Sequence, residues 1–308
     1  MTLEGVREVE VKTDLTIVIC TRNRGAGLRA TLESITAEYV SAREVAIDVV
    51  IVDNGSTDDT SFVADEWASV QRFPVAIVIE PQPGLARSRN RGIPLAKGDV
   101  IVMTDDDCTL EPGYFAAVLR AFGQEPGPAI IGGRIELGDV KDLPITIKTD
   151  LVMRTADPHS FPAGFVMGAN LALTRSTFEL VGPFDERFGA GAPFVAAEDT
   201  DFMLRATSLA IALRYNPNFV VKHFHGRRTN EQARKLSEGY YFGDGALYAK
   251  HWTKDRRVKK AAYLDVKRAL RDIIRPRTSQ SGIRRISLFK ARHRLRGYLA
   301  YIAAQRAS

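Results

Sequence analysis

Three consecutive carboxylates, Asp105, Asp106 and Asp107, form the most unusual cluster in this sequence. They directly follow Val100–Met103, an apolar run typical of a buried strand. Neighbouring carboxylates repel one another, so the cluster needs a bound cation or hydrogen-bond donors. Carboxylate oxygens suit Mg²⁺ or Mn²⁺, ions that often also bind substrate phosphates. The cluster therefore predicts a metal site for a phosphate-bearing substrate, and the alternative is an exposed acidic turn.

Other polar side chains follow apolar runs in the same way. Thr21, Arg22 and Asn23 follow the first run, and Asp53 ends the second. Arg89 lies in an arginine-rich segment that precedes the acidic cluster. Guanidinium groups beside acids fit a site for a metal and a diphosphate. The alternatives are a turn or helix cap at Asp53 and a solvated arginine face on a helix.

A second set of candidates lies further along the chain. Glu198 and Asp199 begin a segment with helical spacing, where a carboxylate is either a helix cap or a general base. His223 and His225 are two residues apart in an apolar run, so both would point to one face of a strand. A single histidine is more often structural, and only the acidic cluster makes these two candidate ligands.

The elements that must position these residues alternate regularly. Helical segments separate four apolar runs, which are Leu15–Cys20, Ile47–Val52, Val75–Ile79 and Asp99–Met103. Strands that alternate with helices predict an α/β fold with a mainly parallel central sheet flanked by helices. In such sheets the ligand binds at the carboxyl ends of the strands, where the polar residues lie.

Composition narrows the class of protein. The chain has 308 residues, 45% hydrophobic and 26% charged, which is typical of a globular protein. Two cysteines cannot build a disulfide framework or a four-ligand zinc site. The sequence shows neither a signal-peptide pattern nor an apolar run of membrane-spanning length. We therefore expect a cytoplasmic protein.

The ordered set of motifs resembles the family 2 glycosyltransferases, which have the GT-A fold and invert the anomeric centre. The resemblance runs from about Leu15 to about Gly226. It is carried by the segments LTIVICTRNR, VVIVDNGSTDDT, GLARSRNRGIPLAKGDVIVMTDDDC, MGANLALTRSTFELVGPFDERFG, AEDTDFMLRA and NPNFVVKHFH. Each segment is loose by itself, but their joint order and spacing are specific.

The resemblance implies a donor site for a nucleotide-diphosphate sugar. Its nucleotide- and donor-binding residues would be Thr21, Arg22, Asn23, Asp53, Arg89, Asp105 and Asp106. Asp105–Asp107 resembles the family's Asp-x-Asp motif, with Asp107 binding Mn²⁺ or Mg²⁺ and His223 as the distal metal ligand. Arg22 stands where the family often has an aromatic residue, which puts the usual stacking on the base in doubt. Uridine diphosphate is the expected carrier because it is the most frequent in the family, and thymidine and guanosine carriers remain alternatives.

The resemblance also implies an acceptor side. Asp199 would be the catalytic base, with Glu198 as the second candidate. Gly168, Asn170 and Asp185 would shape the sugar and acceptor pocket. The expected acceptor is a saccharide or a lipid-linked saccharide, as in polysaccharide or glycolipid assembly.

Charge divides the chain in two. Residues 1–221 carry a net charge of −11 and residues 222–308 a net charge of +17. We expect a catalytic domain over 1–226, with a nucleotide-binding half at about 13–112 and an acceptor-binding half at about 113–226. A basic helical extension follows at 227–308, and its apolar stripes either contact the inner face of a membrane or pack on the catalytic domain or on a second copy in a homodimer.

Two other functions compete with glycosyl transfer. A sugar-nucleotide nucleotidyltransferase would share a nucleotide-binding α/β domain, but it would need a glycine- and lysine-rich triphosphate loop near the N-terminus, which this sequence lacks. A non-catalytic protein that binds membranes or polyanions would not need the acidic cluster. Nucleic-acid binding is disfavoured because the basic segment has few aromatic residues and no recognition motif.

Overall fold

The four apolar runs of the N-terminal part form neighbouring parallel strands. A computed structural model describes residues 13–279 and 282–307. The strands are β1 (Leu15–Thr21), β2 (Ile47–Asp53), β3 (Val75–Ile79) and β4 (Val100–Asp105), arranged in the order β3-β2-β1-β4. The connecting helices are α1 (Gly25–Ser41), α2 (Thr60–Ser69) and α3 (Leu85–Gly92), the last followed by a 3₁₀ turn at Ile93–Leu95. The prediction of an α/β fold with a central sheet flanked by helices is confirmed, and the part of the sheet formed by these four strands is parallel.

The register of these strands brings the candidate residues to one edge. Thr21 pairs with Asp53 across β1 and β2, and Cys20 pairs with Asp105 across β1 and β4. Parallel strands end at the same side of a sheet, so the three polar loops that follow them become neighbours.

The second half of the sheet is mixed. Strand β8 (Asn170–Thr174) runs antiparallel to β4 and to β6 (Ala129–Leu137), and β9 (Ala212–His223) runs parallel to β6. Two short strands, β5 (Cys108–Leu110) and β7 (Arg154–Thr155), lie antiparallel to β9. Because β5 pairs Cys108 with His223, the far end of β9 lies beside the acidic cluster.

The sheet is covered on both faces, as its continuous apolar strands require. Ile17 and Ile51 belong to a core cluster with residues of α1, α2 and α4 (Tyr114–Phe122). Val18 and Val50 point the opposite way, into a cluster with residues of α3 and α6 (Glu198–Ser208). A short helix, α5 (Arg175–Val181), follows β8.

Three helices form the basic C-terminal extension, which are α7 (Asn230–His251), α8 (Arg256–Ile274) and α9 (Ile286–Ala307). The apolar spacing of the sequence predicts α8 and α9 but not α7. Gly245 of α7 approaches the backbone of Arg294 so closely that a side chain there would clash, and Gly297 of α9 approaches Phe242 in the same way. Glycine therefore permits close packing of α7 on α9, although it weakens the helical signal in the sequence. Within 13–279 and 282–307, every helix is too short or too polar to cross a bilayer.

Candidate active site

The acidic cluster lies at the end of β4, and its three carboxylates have different surroundings. Asp106 is buried, and its Oδ2 accepts a hydrogen bond of 2.7 Å from the hydroxyl of Thr21. Burial raises the pKa of Asp106 to about 6, although Thr21 and Arg24 oppose the shift. Burial and the nearby charge of Asp107 also raise the pKa of Asp105. Like-charge repulsion is therefore present in the cluster, as the sequence predicts.

Asp107 is bound from two sides. Arg24 donates a hydrogen bond to its Oδ2, and the Nε of Arg24 lies 3.1 Å from Asp106 Oδ1. The Nε2 of His223 lies 3.2 Å from Asp107 Oδ1. Burial acts to raise the pKa of Asp107, but the hydrogen bond and charge of His223 outweigh burial, and the pKa is lowered. Asp107 is thus a carboxylate held in its charged form between two cationic groups.

The residues around Asp107 fit a divalent cation. Ligand atoms of Asp107, Cys108 and His223 lie within 4.8 Å of one another. Burial raises the pKa of the Cys108 thiol well above its usual value, so this thiol is a poor ligand. The Nδ1 of His223 lies 3.1 Å from the carbonyl oxygen of Thr146 and can donate to it, so a metal that displaces the Nε2 proton would find the Nε2 lone pair on the side of Asp107. Asp107 and His223 are therefore the pair that suits a metal, beside a cavity of about 400 Å³.

The second candidate region is the start of α6. Glu198 Oε1 lies 2.9 Å from Nη1 of Arg89, and both side chains are buried. Burial and the charge of Asp199 raise the pKa of Glu198, and Arg89 opposes this. Asp199 is half-buried and accepts a 3.2 Å hydrogen bond from the backbone N–H of Gly168 on Oδ2. The structure therefore brings together four predicted residues, Arg89, Gly168, Glu198 and Asp199.

Three predicted donor-site residues lie where β1 and β2 end, and two of them have local partners. The carboxylate of Asp53 accepts hydrogen bonds from the Ser56 N–H and the Ser61 hydroxyl. Asn23 has a positive φ of 53° and accepts from the N–H of Thr57, which ties the loop after β1 to the loop after β2. Arg22 is exposed at the same edge of the sheet. The Asp53 contacts are those of a turn, the alternative that the sequence leaves open.

Two predicted acceptor-pocket residues make internal contacts. Asn170 is fully buried, accepts a 2.6 Å hydrogen bond from the Tyr114 hydroxyl, and donates to the carbonyls of Arg134 and Phe219. Asp185 binds Lys250 and pairs with Arg187 through two hydrogen bonds, and these hydrogen bonds lower its pKa against the effect of burial. Both residues therefore support the frame of the site through these contacts.

His225, the weaker histidine candidate, is held by backbone groups. Its Nε2 lies 3.1 Å from the carbonyl oxygen of Leu143, and its Nδ1 accepts from the N–H of Arg227. Burial lowers its pKa, so the ring is mainly neutral near pH 7. Both ring nitrogens have structural partners, which leaves His223 as the histidine that faces Asp107.

Sequence reasoning missed three residues near this site. Arg24 binds two carboxylates of the cluster, and its only signal is its place in a basic loop. Arg227 lies close enough for its charge to lower the pKa of Asp107. Tyr240 in α7 is 42% exposed, and the charges of Asp105 and Asp199 act to raise its pKa. No sequence pattern indicates Tyr240, because α7 itself is not predicted.

Known proteins resemble this chain in sequence and in fold. Residues 16–162 match the sequence profile of glycosyl transferase family 2. A pre-mycofactocin glycosyltransferase of Mycobacterium tuberculosis is 27% identical over 245 residues, which are 77% of this chain and 47% of that protein. A glucosyl-dolichyl phosphate glucuronosyltransferase of Haloferax volcanii is 25% identical over 214 residues, 62% of each chain. The chain thus spans about half the length of the first of these relatives.

A solved structure shows the same fold. The mannosyltransferase PcManGT from Pyrobaculum calidifontis, in complex with GDP-Man and Mn²⁺, has a TM-score of 0.65 at 18% identity. The match covers 96% of this chain and 76% of that one. The fold is therefore of the GT-A type, as the resemblance implies. The match over residues 16–162 confirms the resemblance of this chain to the family 2 glycosyltransferases.

Proposed function

We propose that this protein transfers a sugar from a nucleotide-diphosphate sugar to an acceptor hydroxyl, with a divalent metal and with inversion of the anomeric centre. One observation carries the proposal. The charge of Asp107 acts on Asp105, and the charge of Asp105 in turn acts on Glu198, so Asp105 links the Asp107–His223 pair to the Glu198–Asp199 segment. A metal-binding carboxylate and a base are the two groups that such a transfer needs.

The donor would bind to the first half of the domain, residues 13–112. Thr21 and Asp53 end β1 and β2, Arg22 and Asn23 follow β1, and together they would hold the nucleoside, while Arg89 is buried in α3. The uridine carrier remains our first choice. The neighbour solved with GDP-Man keeps guanosine as the alternative.

Asp107 and His223 would hold the metal. The neighbour that contains Mn²⁺ supports a divalent ion, and an imidazole ligand favours Mn²⁺ over Mg²⁺. When bound, the ion would neutralise charge on the departing diphosphate. The chain's own Arg24 and Arg227 would add positive charge on the same side.

Asp199 would accept the proton of the acceptor hydroxyl. Its Oδ2 is positioned by the N–H of Gly168 and its Oδ1 by the N–H of Thr200 at 2.6 Å. Glu198 is engaged by Arg89, so Asp199 is the better base of the two. A single attack by the acceptor oxygen from the face opposite the nucleotide inverts the anomeric configuration.

The second half of the domain, residues 113–226, would hold the acceptor. Gly168 contacts Arg89 and Asp199, while Asn170 and Asp185 support the surrounding backbone. The relative from Haloferax volcanii is named a glucosyl-dolichyl phosphate glucuronosyltransferase, a name that contains a lipid-linked sugar. We therefore propose a saccharide or lipid-linked acceptor, as in polysaccharide or glycolipid assembly.

Product analysis tests this function. The protein is incubated with uridine, guanosine and thymidine diphosphate sugars, Mn²⁺ and a set of saccharide and lipid-linked acceptors. We expect release of one nucleoside diphosphate, and its loss in Asp199→Asn. Release of pyrophosphate from a nucleoside triphosphate and a sugar phosphate would instead identify a nucleotidyltransferase.

A further inference from the structure

Helix α8 exposes an apolar stripe to solvent. Its side chains are between 51% and 82% exposed, although each is large and apolar. They recur at intervals of three or four residues, so they lie on one face of the helix, and they are Tyr263, Val266, Leu270, Ile273 and Ile274. The buried residues of α8 are Val258, Ala269 and Asp272, which flank the stripe and hold the helix on the protein.

A row of basic residues borders the stripe. Lys259 and Lys267 lie four residues before and after Tyr263, and Arg271 follows Lys267 by four more. All three side chains are exposed. Residues four apart on a helix are neighbours on its surface, so these cations lie next to the apolar side chains.

The acids of α8 do not neutralise this row. The helix carries seven Lys and Arg residues and two Asp residues. Asp272 is buried and accepts hydrogen bonds from the backbone of Arg277, Ser287 and Leu288. Asp265 accepts from the Tyr248 hydroxyl and from Arg294. Both acids therefore bond to other parts of the protein, and the exposed face of α8 is basic and apolar.

We infer that α8 binds in the plane of an anionic lipid surface, with its apolar stripe among the acyl chains and its basic row at the headgroups. An amphipathic helix with a strongly basic polar face has the composition of such interfacial helices. The inference goes beyond the proposed function and does not depend on it, since neither the stripe nor the row includes a residue of the candidate active site.

Charge complementarity favours a lipid over a second copy of the chain. A two-fold interface built on the stripe would place the same surface on both subunits. The basic rows of the two copies would then face each other at close range, which is unfavourable. Anionic headgroups would instead neutralise every member of the row.

Vesicle flotation tests the inference on the full chain. Purified protein is mixed with vesicles of phosphatidylcholine alone or of phosphatidylcholine with phosphatidylglycerol, at low and high salt. We expect binding to the anionic vesicles only, and less binding at high salt. A stripe variant combines Val266→Ser, Leu270→Ser and Ile273→Ser, and its partitioning into vesicles should fall roughly tenfold or more. A row variant combines Lys259→Gln, Lys267→Gln and Arg271→Gln, and it should bind the anionic vesicles more weakly and with less dependence on salt.

A matched control replaces exposed apolar residues elsewhere, with Val70→Ser, Val140→Ser and Leu180→Ser. This variant should bind vesicles like the unchanged protein, and circular dichroism should show every variant folded. Equal partitioning of the stripe variant and the unchanged protein would overturn the inference, as would failure of the unchanged protein to bind anionic vesicles. A dimer in light scattering that the stripe variant converts to a monomer would also overturn it, because the stripe would then be a subunit interface.

Discussion

Arg89 and Glu198 form a buried ion pair, with Nη1 and Oε1 2.9 Å apart, between helices α3 and α6. The Arg89 guanidinium also lies 5.5 Å from the centre of the Phe184 ring. Its Nη2 lies so close to Gly168 that a side chain at residue 168 would clash with it. Since Glu198 is the first residue of α6, the pair fixes the start of the helix that carries Asp199. The donor side and the proposed base are therefore joined by one contact.

Replacement of Arg89 by methionine should destabilise the protein and reduce turnover. Glu198 would remain buried without its partner, which typically costs about 3–5 kcal/mol in unfolding free energy. Urea denaturation measures the loss. The exposed Arg91 of the same helix provides the control, and Arg91→Met should change stability little. Adding Glu198→Gln to Arg89→Met should restore part of the stability. If the loss of unfolding free energy in the double variant equals the sum of the losses in the two single variants, the two side chains are not coupled.

Arg24 should compete with a metal for Asp107. Its guanidinium binds Asp107 and Asp106 and is 42% exposed, so a metal that binds Asp107 would have to displace it towards solvent. Arg24→Gln should bind Mn²⁺ roughly tenfold more tightly, since hydrogen bonds to charged groups contribute about 1.5–3 kcal/mol. Titration with electron paramagnetic resonance measures bound Mn²⁺ directly. The control is Arg29→Gln, which loses only the pair with Glu66 and should bind Mn²⁺ like the unchanged protein. If Arg24→Gln binds Mn²⁺ no more tightly than the unchanged protein, Arg24 does not compete with the metal.

Replacement of Asp199 by asparagine should remove the base and spare the binding site. The amide oxygen can still accept from the Gly168 N–H, but the side chain cannot take a proton. We expect kcat to fall roughly 10²- to 10⁴-fold, the usual contribution of a general base. Nucleotide affinity, measured by calorimetry, should stay the same. If Asp199→Asn keeps its kcat and Glu198→Gln loses it, Glu198 and not Asp199 is the general base.

Asp201 should be a structural anchor for the C-terminal helices. It is fully buried and bonds to Arg205, Lys250 and His251, at 2.9, 2.6 and 2.8 Å. Burial acts to raise the pKa of Asp201, but these groups outweigh burial and lower it. Asp201→Asn should therefore lose about 3 kcal/mol or more of unfolding free energy near pH 7.

Asp201 should also make the unfolding free energy depend on pH. A carboxylate whose pKa is lowered by folding adds stability above its unfolded pKa of about 3.9, and this stability is lost as the pH falls through the lower folded value. The unfolding free energy of the unchanged protein should thus fall more steeply in acid than that of Asp201→Asn. The exposed Asp65 serves as the control, and Asp65→Asn should keep the steep dependence. Parallel pH curves for Asp201→Asn and the unchanged protein would contradict this role.

The sequence predicts the parts of the fold that rest on local pattern. Continuous apolar runs mark β1 to β4 within two residues at each end, and the polar loops at their carboxyl ends mark the site. Helix α7 escapes prediction because Gly243 and Gly245, which serve its close packing, lower its helical propensity, and Gly239 lowers it further.

Contacts between distant segments also escape prediction. The Arg24–Asp107 contact joins residues 83 apart, and the Arg89–Glu198 pair joins residues 109 apart. Asn170 looks like a pocket residue in sequence, but the structure shows its side chain bonded to Tyr114, Arg134 and Phe219. Only the packing of β8 against its neighbours reveals that role.

Metal-dependent donor binding tests the central claim most directly. The melting temperature is measured with uridine, guanosine and thymidine diphosphates and their sugars, with and without Mn²⁺, for the unchanged protein and for Asp107→Asn. A ligand at 100 times its dissociation constant adds about 2.7 kcal/mol of stability, enough for a clear shift. We predict that one nucleotide raises the melting temperature only with Mn²⁺, and that Asp107→Asn loses this rise. No shift with any nucleotide in the unchanged, folded protein, or an equal Mn²⁺-dependent shift in Asp107→Asn, would contradict the proposed site.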